Sequence, residues 1–145
     1  EGLSHKELLD LCTRLVKYKK DNKELLNYVL YQSGDEEAFI EEVKEMVNEE
    51  FTTINRFNLY FAKKTIRKIL KTVNKHIKYS GSKETEVQLL LHFCTTLDDS
   101  GISYKKSTAL HNLYLAQLKK IEKVISTMHE DLQYDYLKDI QQLQK

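Results

Sequence analysis

The chain has 145 residues, 41% of them apolar and 31% charged, with a formal net charge of +1. That length suits one domain able to bury about two-thirds of its unfolded surface, and the apolar content excludes a disordered chain. Proline is absent and glycine occurs four times, so long helices run without interruption.

Ser4, His5, Lys6 and Glu7 spell a capping box, and a first helix is expected over about 4–19, with Leu8, Leu11, Cys12, Leu15 and Val16 inward. Asp21, Asn22, Lys23 and Glu24 spell a second box, opening a helix over about 22–32. Gly34 stops that helix and Asp35 caps the next, which starts near Glu36 with Phe39, Ile40, Val43, Met46 and Val47 as its stripe. One helix from 36 to 79 would run roughly 65 Å, awkward in so small a domain. The weak helix formers Thr52, Thr53, Asn55 and Asn58 mark the expected break, so the fourth helix spans about 56–79.

Ser80, Gly81 and Ser82 close it and cap a fifth helix over about 83–97, with Val87, Leu90, Leu91, Cys94 and Leu97 as its stripe. Asp98, Asp99, Ser100 and Gly101 stop that one, and Ser103 or Ser107 caps a sixth, which reaches about 127 or, with a kink, the chain end. The apolar seam shifts between Leu132 and Tyr136, so a bend near Leu132 is expected and 128–145 reads as a separate or kinked helix. Leu8–Leu15 and Leu90–Leu97 share the spelling Leu-Leu-x-Leu/Phe-Cys-Thr-x-Leu, a hint of duplicated helical hairpins.

Charge is unevenly spread. Residues 35–50 carry eight acids against one base, Lys44, and Arg56 to Lys83 carry nine bases and no acid. On a helical wheel Leu59, Ala62, Ile66, Ile69, Leu70, Val73 and Ile77 fall on one core-facing arc. Tyr60, Lys64, Arg67, Lys68, Lys71, Lys75 and Lys78 fall on the flank and back. Lysines at steps of three and four residues follow a phosphate backbone, and Tyr60 suits stacking on a base. The competing readings are a solvated face, a face neutralised by the acidic helix 36–50, and an acidic protein partner. The apolar side is committed to the core, which speaks against a membrane partner.

Chemistry elsewhere is sparse. His5, His76, His92, His111 and His129 form neither a His-Glu-x-x-His nor a Glu-x-x-His pattern. Each glycine near a helix end stands alone, so no loop cradles phosphate, and no nucleophile elbow occurs. No catalytic residue, metal or cofactor is expected. Cys12 and Cys94 have no metal or disulfide spacing and read as buried thiols in a reducing cytosol. No apolar run approaches the ~18–20 residues of a membrane span, and no secretory pattern precedes the first helix. The chain begins at Glu1 without an initiator methionine, so a few preceding residues are expected. Tyr134 and Tyr136, in a charged tail, are the candidate interface tyrosines among nine.

The segments NLYFAKKTIRKILKTVNKHIKYSGSK (58–83), LLLHFCTTLDDSGI (89–102), MHEDLQYDYLKDI (128–140) and LLDLCTRLVKYKK (8–20) resemble an uncharacterised family of small bacterial all-helical proteins. The resemblance covers most of the chain. It implies a bacterial cytosolic protein and carries over no functional residue.

The fold expected is all-α, with six to seven helices in an irregular bundle or a short α-α superhelical array, forming a single domain over 1–145. The function expected is a non-catalytic protein–protein interaction module, self-associating through the C-terminal helix. The alternative is a nucleic-acid-binding protein using the basic face of 56–79. That alternative requires Lys64, Lys68, Lys71 and Lys75 to be exposed and unpaired.

Overall fold

The computed structural model describes residues 2–144. They form an all-α fold of seven α-helices, about 83% helical. Contacts gather the chain into two compact units, Glu1–Phe39 and Ile40–Lys145.

The first unit opens with α1 (His5–Tyr18). The Ser4 capping box forms as spelled: Glu7 N–H donates to Ser4 Oγ at 3.2 Å, and Ser4 N–H donates to Glu7 Oε1 at 3.1 Å. Lys19 is a single extended residue, and α2 (Lys20–Asn27) follows it at once. Asn22 Nδ2 reaches back to the Leu15 carbonyl at 2.6 Å and satisfies one of the acceptors that the end of α1 leaves open. A π-turn, Tyr28–Gln32, extends α2. Tyr28 is buried, edge-on to Phe39 at 4.7 Å, with its hydroxyl donating to Glu36 Oε2 at 2.7 Å.

In the second unit, α3 (Glu36–Thr52) contributes its length from Ile40 onward, followed by α4 (Leu59–Ser80), α5 (Lys83–Asp99), α6 (Thr108–Ile125) and α7 (Glu130–Gln144). A short 3₁₀ turn, Tyr104–Lys106, precedes α6. The centre is α5, which packs on α4, α6 and α7. Its residues Val87, Leu89, Leu90, Leu91, Phe93, Cys94 and Leu97 are all buried. A helix apolar on so many sides has to be enclosed. The Phe51 ring of α3 sits 5.8 Å from that of Phe93. Each turn is capped by a local polar group: Asn58 Oδ1 accepts from Tyr60 and Phe61, Ser82 Oγ from Thr85, and Ser107 Oγ from Leu110.

The break between α3 and α4 falls at Thr53–Asn58, where Thr52 and Thr53 hydroxyls turn back onto the Glu49 and Glu50 carbonyls. These short side chains compete for the backbone, as their low helix preference requires.

Several expectations are corrected. No residue of α1 is buried: Leu8, Leu11 and Leu15 are exposed, and so is Cys12, while only Cys94 is the buried thiol expected. The box at Asp21 does not form, because α2 starts two residues early with Lys19 as N-cap and no side-chain cap bond. Glu24 lies 3.9 Å from Lys20 instead. Gly34 does not take the left-handed conformation of a helix stop, whereas Gly81 (φ 70°) and Gly101 (φ 79°) do. The bend expected near Leu132 is a full break at Ser126–His129. The two Leu-Leu-x-Leu/Phe-Cys-Thr spellings occupy opposite environments, one exposed on α1 and one in the core on α5.

Candidate nucleic-acid interface

The core-facing stripe of α4 fixes which side it presents outward. Ala62, Ile66, Ile69, Leu70, Val73 and Ile77 are buried, and Leu59, the first helical residue, is half-buried. At about 100° per residue, the opposite arc carries Tyr60, Lys64, Arg67, Lys68, Lys71, Lys75 and Lys78 within roughly 120°. All are exposed except Lys75, which is half-buried. From Lys64 to Lys78 the line is about 21 Å long at 1.5 Å per residue.

Among the described residues, Lys64, Arg67, Lys68, Lys71 and Lys78 are in no ion pair. The carboxylates of α3 do not reach these five. Glu41 instead lies 3.6 Å from Lys44 of its own helix. An isolated surface ion pair is worth little, but five cations in no ion pair keep their positive potential for an outside anion. Gly81 closes α4, with its N–H donating to the Ile77 carbonyl at 3.0 Å.

Three exposed aromatic rings gather at the start of α4. Phe57 is 96% exposed, and Tyr60 and Phe61 meet edge-on at 5.3 Å between centroids. Lys64 Nζ lies 4.6 Å from the Tyr60 ring centre, a cation–π contact that ties the aromatic group to the lysine line. The Asn55 and Asn58 side chains hold this corner: Asn55 Oδ1 accepts from Phe57 N–H at 3.0 Å, and Asn58 Oδ1 from Tyr60 N–H at 3.1 Å. Sequence reasoning singled out Tyr60 alone. Phe57 and Phe61 escaped it because an aromatic next to a core stripe reads as core until its side is fixed.

Tyr134 is exposed, with Lys138 Nζ 4.4 Å from its ring centre, whereas Tyr136 is half-buried. Burial, then the Glu84 charge, raises the Tyr136 hydroxyl above its ordinary range. The remaining seam of α7 turns inward, with Ile140 buried.

Two grooves flank His92 of α5. One, of about 620 Å³, lies along the C-terminal ends of α3 and α5, where it meets Asn48, Arg56, Asp99 and Ser100. The other, of about 610 Å³, lies toward α7, at Asp98, Tyr136 and Asp139. His92 Nε2 is 2.8 Å from Asn48 Oδ1. Burial first, then the Lys44 charge, lowers the His92 pKa, so its neutral form is favoured. The nearby hydroxyls are committed to backbone: Thr96 Oγ1 donates to the His92 carbonyl at 2.7 Å and Ser100 Oγ to the Leu97 carbonyl at 2.6 Å. Neither is set up as a nucleophile paired to a base.

A polar cluster at the edge of the second groove joins α5 to its neighbours. Tyr104 Oη donates to Asp98 Oδ1 at 2.7 Å, its ring lies 4.9 Å from that of Tyr114, and Tyr114 Oη donates to the Leu143 carbonyl at 3.1 Å. Burial, and then the bond to Asp98, pushes the Tyr104 hydroxyl above the usual tyrosine range. This cluster ties α5, α6 and α7 together, a structural role. Among the described residues no group of three or more His, Cys, Asp or Glu side chains is placed to hold a metal ion, and no helix is long and apolar enough to cross a membrane.

Compared with protein-family models, with curated proteins and with solved structures, the chain matches none.

Proposed function

We propose that this chain is a non-catalytic protein that binds single-stranded nucleic acid along the outer face of α4. The observation that carries this reading is the row of five exposed cations, Lys64, Arg67, Lys68, Lys71 and Lys78, none of them in an ion pair among the described residues. Their ammonium and guanidinium groups take the phosphates, with counterion release as the driving term. Phe57, Tyr60 and Phe61 offer flat apolar faces at one end of the row, and unpaired bases stack on such rings whatever their sequence. A duplex keeps its bases stacked inside and uses the cations alone. Two unpaired cysteines suit a reducing cytosol.

The test is fluorescence anisotropy with a labelled oligouridylate and a labelled DNA duplex, at low and physiological salt. The single strand is expected to bind, weaken steeply with salt, and outcompete the duplex. No binding of the single strand at low salt removes the proposal. A duplex bound equally well removes the role given to the aromatic rings.

A second reading, a protein–protein interaction module, is favoured by the apolar side chains that α1 leaves exposed.

A further inference from the structure

An amphipathic helix normally forms because its apolar stripe is covered. In α1 much of that stripe stays exposed: Leu8, Leu11 and Leu15 are 47%, 44% and 50% exposed, Tyr18 is exposed further along, and no α1 residue is buried. Leu8, Leu11, Leu15 and Tyr18 are spaced three, four and three apart, the a/d pattern of a helix-pairing seam. Cys12 stands at its edge.

We infer that α1 pairs antiparallel with α1 of a second copy of this chain. The proposal rests on the interaction-module reading and names its partner. The polar residues choose the direction. Lys6, Glu7 and Asp10, in the first half, sum to −1, while Arg14, Lys17, Lys19 and Lys20, in and just beyond the second half, sum to +4. Parallel pairing sets four cations against four. Antiparallel pairing sets the acidic half of one copy beside the basic half of the other, within a Debye length of about 10 Å.

Register follows from the seam. Leu11 meets Leu15 of the partner subunit, Leu8 meets the partner's Tyr18, and Cys12 stands close to the partner's Cys12 near the two-fold axis. An isologous contact of this kind uses one patch twice. Leu8, Leu11 and Leu15, at roughly 90 Å² of exposed surface each, and Tyr18, at roughly 170 Å², give about 450 Å² per copy and about 900 Å² in all, the range of weak specific dimers. A lipid surface fits less well, because Glu7 and Asp10 interrupt the polar face and Asp10 already holds Arg14 at 3.3 Å, whereas interfacial helices carry a Lys- and Arg-rich polar face.

The test uses the full chain in two assays. Sedimentation equilibrium up to several hundred micromolar is expected to show a species of twice 17.1 kDa, lost in Leu11→Asp with unchanged circular dichroism. A short bis-maleimide is expected to cross-link wild type through Cys12, with no cross-link in Cys12→Ser and full cross-linking in Cys94→Ser. A monomer at every concentration without cross-link overturns the dimer, as does a dimer that neither Leu11→Asp nor Cys12→Ser affects. If wild type instead stays monomeric and sediments with anionic vesicles, lipid covers the face and the dimer falls. If that monomer also fails to bind an apolar dye in a way that Leu11→Asp abolishes, the α1 face is not available and the interaction-module reading falls with it.

Discussion

Replacing Lys64, Lys68 and Lys71 together with alanine is a sharp probe of the α4 row. All three side chains are exposed and, among the described residues, in no ion pair, so their loss removes no contact beyond the Lys64–Tyr60 cation–π pair, and alanine favours the helix. On a single strand each phosphate contact adds about −0.7 to the slope of log K against log salt. Lys64, Arg67, Lys68, Lys71 and Lys78 acting together predict a slope of about −3.5, and the triple variant about −1.4. Raising salt from 50 to 200 mM should then weaken wild type about 100-fold and the variant about 7-fold, and at 0.1 M the variant should bind about 100-fold more weakly. Anisotropy titrations with labelled oligouridylate at four salt concentrations measure both slopes. Equal slopes with equal affinities would refute the reasoning, because they place the phosphates elsewhere.

Other expected outcomes concern the bundle. His92 has a lowered pKa in the folded chain, through burial and the Lys44 charge. The unfolded chain therefore binds the proton first, and stability falls as pH drops through the unfolded value of about 6.5 toward the depressed folded one. Urea midpoints at pH 7.5 and 5.5 should differ more in wild type than in His92→Gln, and an identical pH dependence in the two would contradict the assignment. Burial, and then the Asp98 charge, pushes the Cys94 thiol up to about 12, so in Cys12→Ser no thiol should react with a disulfide reagent at pH 8 until denaturant is added. A fast thiol there would mean that the α5 core opens. Gly81, at φ 70° with open space around it, should cost about 1 kcal/mol when replaced by alanine and lower Tm by roughly 3 °C in a thermal melt.

Much of the second unit was legible because its signals are local. The α4 stripe from Ala62 to Ile77 lies on one arc and is buried as that arc requires, and the run of Thr and Asn residues from Thr52 to Asn58 ends one helix and caps the next. The exposure of the basic row was only half legible. Periodicity shows which side of a helix is polar, but whether the acids of 36–50 lie against it depends on packing between helices. The first unit was misread for the same reason. A wheel reports that α1 is amphipathic and says nothing of what covers Leu8, Leu11 and Leu15. The Asn48–His92 pair, 44 residues apart in sequence, and the Tyr104–Asp98 bond beside Tyr114 leave no periodic trace at all. The Phe57, Tyr60 and Phe61 corner had a usable signal: two asparagines, Asn55 and Asn58, that cap the N–H groups two residues on and so mark an exposed turn at the start of α4.

The central claim is that the outer face of α4 touches the phosphates, and lysine footprinting tests it most directly. The chain is acetylated briefly with and without a saturating oligouridylate at low salt, and each lysine is read by mass spectrometry. Protection is predicted at Lys64, Lys68, Lys71 and Lys78, with Lys119 and Lys123, exposed on α6, reacting equally in both samples. Protection confined to lysines outside α4, or none while the strand is bound, would contradict it.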